Sequence, residues 1–262
     1  MKIVVLLENT AARPDAQTEH GLSLYVETGG RRILFDMGQT DLFARNAATL
    51  GVDLSLVDLA VISHGHNDHG GGLSTFLSLN RRAPVYVHKD AFLPHHNAAG
   101  RSISLDPALR HHPQVRLTED RAEIGEGLTL LTCNSLERPH SLGHFGLTER
   151  VGDAFIPDDF RHEQYLLIRE TEAGQSKRVL LSGCSHKGIG DIAEWFSPDA
   201  LVGGFHVSKM PADQSLEGLA RQLNTHRTTF YTCHCTGLPQ YAFLKARMDR
   251  LHYLACGQTI TL

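Results

Sequence analysis

The stretch "ISHGHNDHGG" at residues 62–71 is the part of the sequence best suited to chemistry, because it concentrates metal-binding side chains. It holds His64, His66, Asp68 and His69 directly after the apolar run "VDLAVI". The first two histidines are two residues apart and can point the same way from an extended loop, whereas Asp68 and His69 follow a bend and can face a second point. This arrangement favours two metal ions about 3.5–4 Å apart, which together clamp the attacking and leaving oxygens of a displacement. A polar loop with surface histidines is the alternative interpretation.

Four other predicted strands also end in side chains that bind metals. Imidazole, carboxylate and thiolate groups suit zinc, and imidazole also suits iron. Functional groups gather on loops at strand ends in folds of this kind. The candidates follow "ILF", "RVLLSG", "ALVGGF" and "TFYTC", and they are Asp36, Cys184, His186, His206 and His234.

The element pattern predicts where these residues lie. Apolar alternation and turn residues predict a first strand in "KIVVLLEN", a hairpin in "GLSLYVETGGRRILFDMG" and short strands in "DLAVIS" and "PVYVHK", with helices in "TDLFARNAATLGV" and "GGLSTFLSLN". The second half repeats this style, with strands in "EGLTLLTCN", "QYLLIRET", "KRVLLSGC", "PDALVGGFHV", "TTFYTCHC" and "HYLACGQTITL" and helices in "GIGDIAEWF", "SLEGLARQLNTH" and "LPQYAFLKARM". The pattern indicates an α/β (α+β) chain in which two packed β-sheets carry helices outside each. A single domain over residues 1–262 is expected, with residues 91–122 as an insertion or lid, because that segment is polar and irregular.

Bulk composition excludes several classes of protein. The 262 residues are 41% hydrophobic and 21% charged, which suits a packed core, and the net charge of −4 disfavours a nucleic-acid surface. The apolar run near the start, residues 3–7, is too short for a secretory signal or a membrane span. A cytoplasmic protein with no membrane or nucleic-acid partner is therefore expected, and its oligomeric state is not readable. The five cysteines form no regular disulfide framework.

The motif His64-Gly-His66-Asn67-Asp68-His69 resembles the His-x-His-x-Asp-His signature of the metallo-β-lactamase superfamily. Asp36 in "FDMG" resembles the strand-end aspartate of that superfamily. The resemblance implies a four-layer αββα sandwich with a one- or two-metal site at one edge. "EHGLSLYVE", "LFDMGQTDLFARNA", "SGCSHKGI", "GGFHV" and "CHCTG" further resemble the subgroup labelled dihydropterin-ribofuranosylaminobenzene-phosphate synthase, or methanopterin-type dihydropteroate synthase.

The sequence departs from the superfamily pattern at two places. The segment "TCNSLERPHSLGH" lacks the Gly-His-Thr loop that carries a third ligand in many members, and Gly183-Cys184 stands where a Gly-Asp step is usual. Our hypothesis is that Cys184 takes the bridging position and His186 completes the first metal's shell. The alternative for Cys184 is a small buried hydrophobe.

The resemblance also suggests roles for the remaining candidates. His234 matches the last histidine of the superfamily, which completes the second site with Asp68 and His69. Asp36 is expected to orient a ligating histidine through its other ring nitrogen. His206 stays open as a substrate ligand, a proton donor or a metal ligand.

The expected activity is hydrolysis of a small anionic substrate, preferably a phosphorus ester or anhydride. A metal lowers the pKa of bound water from 15.7 to about 7, which gives hydroxide at neutral pH. Asp68 would orient this nucleophile, and the metal or His206 would stabilise the departing oxygen. Two divalent ions are expected, with zinc preferred over iron or manganese. Four basic residues are candidates for pairing with phosphate, or are simply solvated charges: Arg138, Arg161, Lys187 and Lys209.

Two other functions are compatible with the same residues. A pterin-linked transferase would use the same metals with an amine as nucleophile. A non-catalytic, metal-dependent ligand sensor would bind its ligand without turnover, although the sequence offers no attached output domain.

Overall fold

Two seven-stranded sheets form the centre of this computed structural model, which describes residues 1–172 and 175–262. The first sheet has the strand order β17 (Thr259–Thr261), β1 (Lys2–Leu7), β2 (Ser23–Thr28), β3 (Arg31–Phe35), β4 (Leu59–Val61), β5 (Val85–His88) and β7 (Val115–Thr118). The second has the order β16 (Leu251–Tyr253), β15 (Thr229–Cys233), β14 (Ala200–Gly204), β13 (Gln175–Ser182), β12 (Tyr165–Glu172), β9 (Leu128–Leu131) and β8 (Arg121–Gly125).

A small third sheet and the helices complete the described architecture. The third sheet has the order β11 (Ala154–Pro157), β10 (Thr148–Val151) and β6 (His95–His96). The α-helices are α1 (Leu42–Thr49), α2 (Asn67–Gly70), α3 (Leu73–Leu79), α4 (Ile189–Phe196), α5 (Gln214–Asn224) and α6 (Leu238–Lys245), and short 3₁₀ turns lie at Leu54–Leu56, Pro107–His111 and His234–Thr236. In this described part of the chain, no helix combines the length and apolarity needed to cross a bilayer.

Three hydrophobic cores hold these elements together, and β1 contributes side chains to two of them. Its side chains alternate between the two faces of the sheet. Ile3 and Val5 pack into the core between the two sheets, whereas Val4 and Leu6 pack into the core beneath α1 and α3. A third core joins the second sheet to α4, α5 and α6. The order helix, sheet, sheet, helix confirms the predicted αββα sandwich.

The segment 91–122 differs from the expectation of an insertion or lid. Residues Val115–Thr118 form β7, which pairs in parallel with β5 at the edge of the first sheet, and residue 121 begins β8 of the second. The last quarter of the segment therefore contributes to the two main sheets. The sequence pattern did not predict β7 as a strand, because an edge strand buries only part of its surface and its two central residues are exposed. For the rest of residues 91–122, the role of an insertion or lid stays a prediction.

Strand direction places the candidate residues at one edge of the sandwich. Strands β3, β4, β5 and β7 run parallel, as do β13, β14, β15 and β16. The carboxyl ends of parallel strands lie on the same side of a sheet. The loops after β3, β4, β13, β14 and β15 carry Asp36, the 64–69 motif, Cys184 with His186, His206, and His234.

Candidate metal centre

Backbone strain is concentrated where these strands end. Asp36, Ser185, His206 and His234 adopt φ values of 59°, 61°, 53° and 51°, in the left-handed region that non-glycine residues seldom occupy. Such conformations persist only where the surrounding structure imposes them, and they cluster at functional sites. The strained turns point the polar side chains of separate strands toward one another.

One group of buried side chains converges on His69. Its Nε2 lies 3.2 Å from His234 Nε2, 3.1 Å from Cys184 Sγ and 3.7 Å from an oxygen of Asp68, and that oxygen lies 3.3 Å from His234 Nε2. Ligands about 2.0–2.3 Å from a tetrahedral zinc ion are separated by roughly 3.2–3.7 Å. These spacings therefore fit a divalent cation.

Hydrogen bonds assign the ring protons in this group. Asp36 Oδ2 lies 2.7 Å from His69 Nδ1, and Asn9 Oδ1 lies 2.9 Å from His234 Nδ1. Because both oxygens are acceptors, each Nδ1 carries the proton and each Nε2 carries a lone pair. The two lone pairs face each other across 3.2 Å and repel unless a cation lies between them. The donors present therefore fit a metal ion.

A second group surrounds His64. The hydroxyl of Ser63 donates to Asp36 Oδ2 at 2.7 Å and lies 2.8 Å from His64 Nδ1, so it accepts the Nδ1 proton. His64 Nε2 then carries a lone pair, and it lies 3.2 Å from His186 Nε2. His66 completes this group of three buried imidazoles, whose ligand atoms all lie within 4.8 Å of one another.

Burial tunes the charge of these groups. It lowers the pKa values of His64 and His186 well below the usual value, and neighbouring imidazoles add to the effect. Both rings are therefore neutral at pH 7, and a proton does not compete with a cation for the lone pair of either ring. Burial opposes ionisation of Asp68, but His69 and His20 outweigh it and hold its pKa well below the usual value.

Cys184 lies between the two groups. Its Sγ faces His69, and it belongs to one set of potential ligands with His64 and His69 and to another with His186 and His206. Burial raises the pKa of the Cys184 thiol well above the usual value, so ionisation requires a nearby cation. The position between the two groups is compatible with a bridging ligand, and that role of Cys184 stays a prediction.

His206 lies at the margin of the cluster and is only partly buried. Its ring is centred 4.1 Å from that of His186, and its Nδ1 has no hydrogen-bond partner among the described residues. Its backbone N–H donates to Cys235 Sγ at 3.2 Å. Lys209, three residues further on, is exposed.

The prediction that Lys187 pairs with a substrate phosphate is wrong, because this residue is fully buried. Its ammonium group donates to the backbone oxygens of Thr132 and Glu163 at 2.7 and 2.8 Å, which joins the end of β9 to the start of β12. A buried, satisfied ammonium cannot reach a substrate at the surface.

Two of the other basic candidates are engaged elsewhere. Arg138 donates to the backbone oxygen of Asp159 at 2.7 Å. Arg161 pairs with the Asp159 carboxylate at 3.1 Å and lies 3.9 Å from Glu149. Lys209 is left as the exposed candidate that forms neither an ion pair within 4.0 Å nor a side-chain hydrogen bond with any described residue, whereas Arg138 and Arg161 each have a partner.

Several residues next to the cluster were not predicted from the sequence. His20 Nε2 lies 3.3 Å from Asp68, and Glu8 accepts the backbone N–H of His234 at 2.6 Å. Glu8 and Asn9 directly follow β1, so they have the same signal as Asp36, a polar side chain at the end of a strand. Cys235 was also not predicted, because Cys233-His234-Cys235 does not have the Cys-x-x-Cys spacing of a zinc site.

Comparison with known proteins places this geometry in a family. The model of the metallo-beta-lactamase superfamily matches residues 17–159. The chain is 26% identical to the 7,8-dihydropterin-6-methyl-4-(beta-D-ribofuranosyl)-aminobenzene-5'-phosphate synthase of Methanocaldococcus jannaschii, over 96% of this chain and 94% of the relative. It is also 26% identical to uncharacterized protein MJ0448 of the same organism, over 90% of each chain.

A solved structure agrees with both sequence comparisons. Tm1679, described as a metal-dependent hydrolase of the beta-lactamase superfamily, superposes with a TM-score of 0.84 and 30% sequence identity, over 100% of this chain and 99% of that chain. The similarity therefore extends through both sheets and every loop that carries a candidate ligand. This chain belongs to the metallo-β-lactamase superfamily.

Proposed function

We propose that this protein is a metal-dependent hydrolase acting on a small anionic substrate that contains phosphate. The observation that carries the proposal is the pair of His69 and His234 lone pairs, fixed 3.2 Å apart with Asp68 and Cys184 beside them. Such a donor set suits a divalent cation, whereas without a cation the facing lone pairs repel each other.

The two groups of side chains would hold two cations, for which zinc is the preferred choice and iron or manganese the alternatives. His64, His66 and His186 would bind one, Asp68, His69 and His234 the other, and the Cys184 thiolate would lie between them. When bound, the cations acidify a water molecule and neutralise negative charge that develops on the substrate.

The protein's own groups would direct the reaction. Asp68 is ionised and can accept a hydrogen bond from the attacking water, which orients it toward phosphorus. His206 has a free Nδ1 beside His186 and can protonate the departing oxygen. The exposed ammonium of Lys209 can pair with a phosphate oxygen at the mouth. The phosphate in the name of the M. jannaschii synthase supports this substrate class.

The same relative supports a second candidate, a pterin-linked transferase. In that reaction an amine replaces water as the nucleophile, and the cations and Asp68 keep their roles. A non-catalytic ligand sensor is the third candidate, and it would bind its ligand at the same metal site without turnover.

The first test is the metal content of protein purified without chelator or added metal, measured by elemental mass spectrometry. We expect about two divalent ions per chain. The loaded protein is then assayed on phosphodiesters, phosphomonoesters, thioesters and lactones, with and without an added arylamine. Asp68→Asn should abolish turnover, whereas Asp153→Asn, at an exposed carboxylate outside the cluster, should not.

Each outcome separates the candidates. Turnover of phosphate esters without amine supports the hydrolase. Turnover confined to thioesters or lactones contradicts the phosphate assignment, product formed only with amine favours the transferase, and metal binding without turnover favours the sensor.

A further inference from the structure

A buried hub of polar side chains lies directly behind His66. Asp158, which follows β11, is surrounded by His66, by His95 from β6 and by His162 just before β12. All four are at most 4% exposed. Asp158, His95 and His162 take no part in the proposed reaction. Burying the carboxylate of Asp158 costs free energy unless it is paired and hydrogen-bonded, so its contacts call for an explanation.

The carboxylate of Asp158 accepts hydrogen bonds from several directions. Its Oδ2 lies 2.9 Å from His95 Nδ1, 3.3 Å from His162 Nε2 and 3.8 Å from His66 Nε2. Its Oδ1 accepts the backbone N–H of Phe160 at 2.8 Å.

The protons on two of the rings can be assigned. His162 Nδ1 accepts the backbone N–H of Gly65 at 2.9 Å, so its proton is on Nε2 and points to Asp158. His95 Nδ1 donates to the same carboxylate, and its Nε2 has no partner among the described residues. His95 and His162 therefore fix Asp158 as an ionised acceptor.

These assignments argue against a third metal site at the hub. To bind a cation through Nε2 while Nδ1 accepts the Gly65 N–H, His162 would have to lose both ring protons. His66 would also have to lose both to serve the hub and the His64 group together. Neutral imidazole has only one lone pair for ligation, so the hub is better suited to accept N–H groups than to hold a metal.

We propose that Asp158 is a positioning residue that accepts the Nε2 proton of His66 and so directs the lone pair on Nδ1 to the cation held with His64 and His186. His66 Nε2 is buried, has no hydrogen-bond partner in the described chain and needs to move only about 1 Å to reach hydrogen-bond distance from Asp158. The inference rests on the proposed metal centre. It gives the His64 group a second buried carboxylate in Asp158, beside Asp36, which contacts His69 directly and His64 through Ser63.

The hub also attaches the third sheet to the candidate metal centre. β6 carries His95 and β11 leads into Asp158, and both strands pair with β10. The segment after β6 bonds to the motif as well, because Asn67 donates its backbone N–H to Ile103 at 2.7 Å. The position of the third sheet and the orientation of His66 are therefore set by the same contacts.

The test uses full-length protein labelled with ¹⁵N and loaded with Zn²⁺. Long-range ¹H–¹⁵N spectra distinguish a protonated ring nitrogen from a metal-bound one, and His66→Gln assigns the signals. We expect His66 to carry its proton on Nε2 and the metal on Nδ1. Metal bound through Nε2 of His66 would overturn the inference, and the decisive spectrum is that of the native protein, with Asp158 unchanged.

Stepwise Zn²⁺ titration of Asp158→Asn supplies a second measurement. We expect one of the two binding steps to weaken by about 10- to 100-fold while the other is unchanged, and Asp36→Asn to weaken both, because Asp36 contacts His69 directly and His64 through Ser63. Asp159→Asn is the control, because it removes the same charge from the exposed neighbouring residue. An Asp158→Asn titration that matches the control, or three metals per chain in the native protein, contradicts the proposal.

Failure here and failure of the proposed function are distinguishable. An inactive protein with His66 bound through Nδ1 refutes the hydrolase alone. An active phosphoesterase with His66 bound through Nε2 refutes only the role of Asp158.

Discussion

At the scale of single residues, the proton on each ring decides which nitrogen can bind a metal. Asp36 and Asn9 hold the protons of His69 and His234 on Nδ1, and Ser63 does the same for His64. Three lone pairs on Nε2 are therefore available before any cation arrives. The free energy needed to orient these rings is supplied by folding rather than by metal binding.

His206 is expected to move a proton rather than hold a metal. His206→Asn should lower kcat by roughly 10²- to 10⁴-fold with an unchanged metal content, because Asn tolerates the left-handed backbone but cannot donate the proton. Steady-state kinetics and elemental analysis of the same preparation check this. A parallel loss of metal would instead assign His206 as a ligand.

Cys184 is expected to supply sulfur to the metal centre. X-ray absorption at the metal edge should show a sulfur scatterer in the native protein and lose it in Cys184→Ser. Cys133→Ser is the matched control, since that cysteine is only partly buried and lies outside the sets of potential ligands that contain Cys184. A sulfur signal that persists in Cys184→Ser would transfer the role to Cys235.

At the scale of elements, close approaches between strands and loops position the site. Gly203 in β14 has a φ of 146°, and a Cβ there would lie only 1.7 Å from the backbone oxygen of Ser182 in β13. The turn that presents His206 begins immediately after this strand. The close spacing of β13 and β14 therefore requires a residue without a side chain at position 203.

Adding one methyl group should separate these strands. Gly203→Ala is expected to lower the free energy of unfolding by at least about 3 kcal/mol, through overpacking and backbone strain. Gly218→Ala is the control, because its Cβ would meet nothing within 4 Å in α5, and it should stabilise the protein by about 1 kcal/mol. Urea unfolding measures both, and equal effects would contradict the packing argument.

Lys187 joins two elements and should affect stability but not substrate binding. Lys187→Met leaves the carbonyls of Thr132 and Glu163 without a donor, which should cost about 1–3 kcal/mol. Lys209→Met should leave stability unchanged and raise KM for a phosphate substrate. Denaturant unfolding and initial-rate kinetics of both variants check the pair, and a raised KM in Lys187→Met would restore its original assignment.

At the scale of the whole molecule, the candidate ligands lie at the shared edge of two sheets. His64 and His69 come from the first sheet, whereas Cys184, His186 and His234 come from the second. A bound cation therefore links the halves of the sandwich. It stabilises the folded chain, because the unfolded chain presents no such site.

Removing the metal should lower the melting temperature. A cation at about a thousand times its Kd stabilises by roughly 4 kcal/mol, which corresponds to a shift on the order of 10 °C in a protein of this size. Scans with and without chelator, followed by Zn²⁺ reloading, measure it. His69→Gln should show a smaller shift, and an unchanged melting temperature in the native protein would count against the metal centre.

The sequence by itself determined the αββα sandwich and the set of residues that meet at its edge. Both depend on local patterns: buried strands read as apolar runs, and parallel strands place their carboxyl ends together. Polar edge strands such as β7 could not be predicted in this way, because their sequence lacks an apolar face.

Only the tertiary structure decided the contacts between distant segments. It buried Lys187 against Thr132, 55 residues away, and brought His95 to Asp158 across 63 residues. No local pattern encodes such a pair, since the free energy that brings the two segments together comes from the sheets and cores that pack around them. The assignment of each ring proton was settled in the same way, because it depends on which acceptor the completed fold places against the ring.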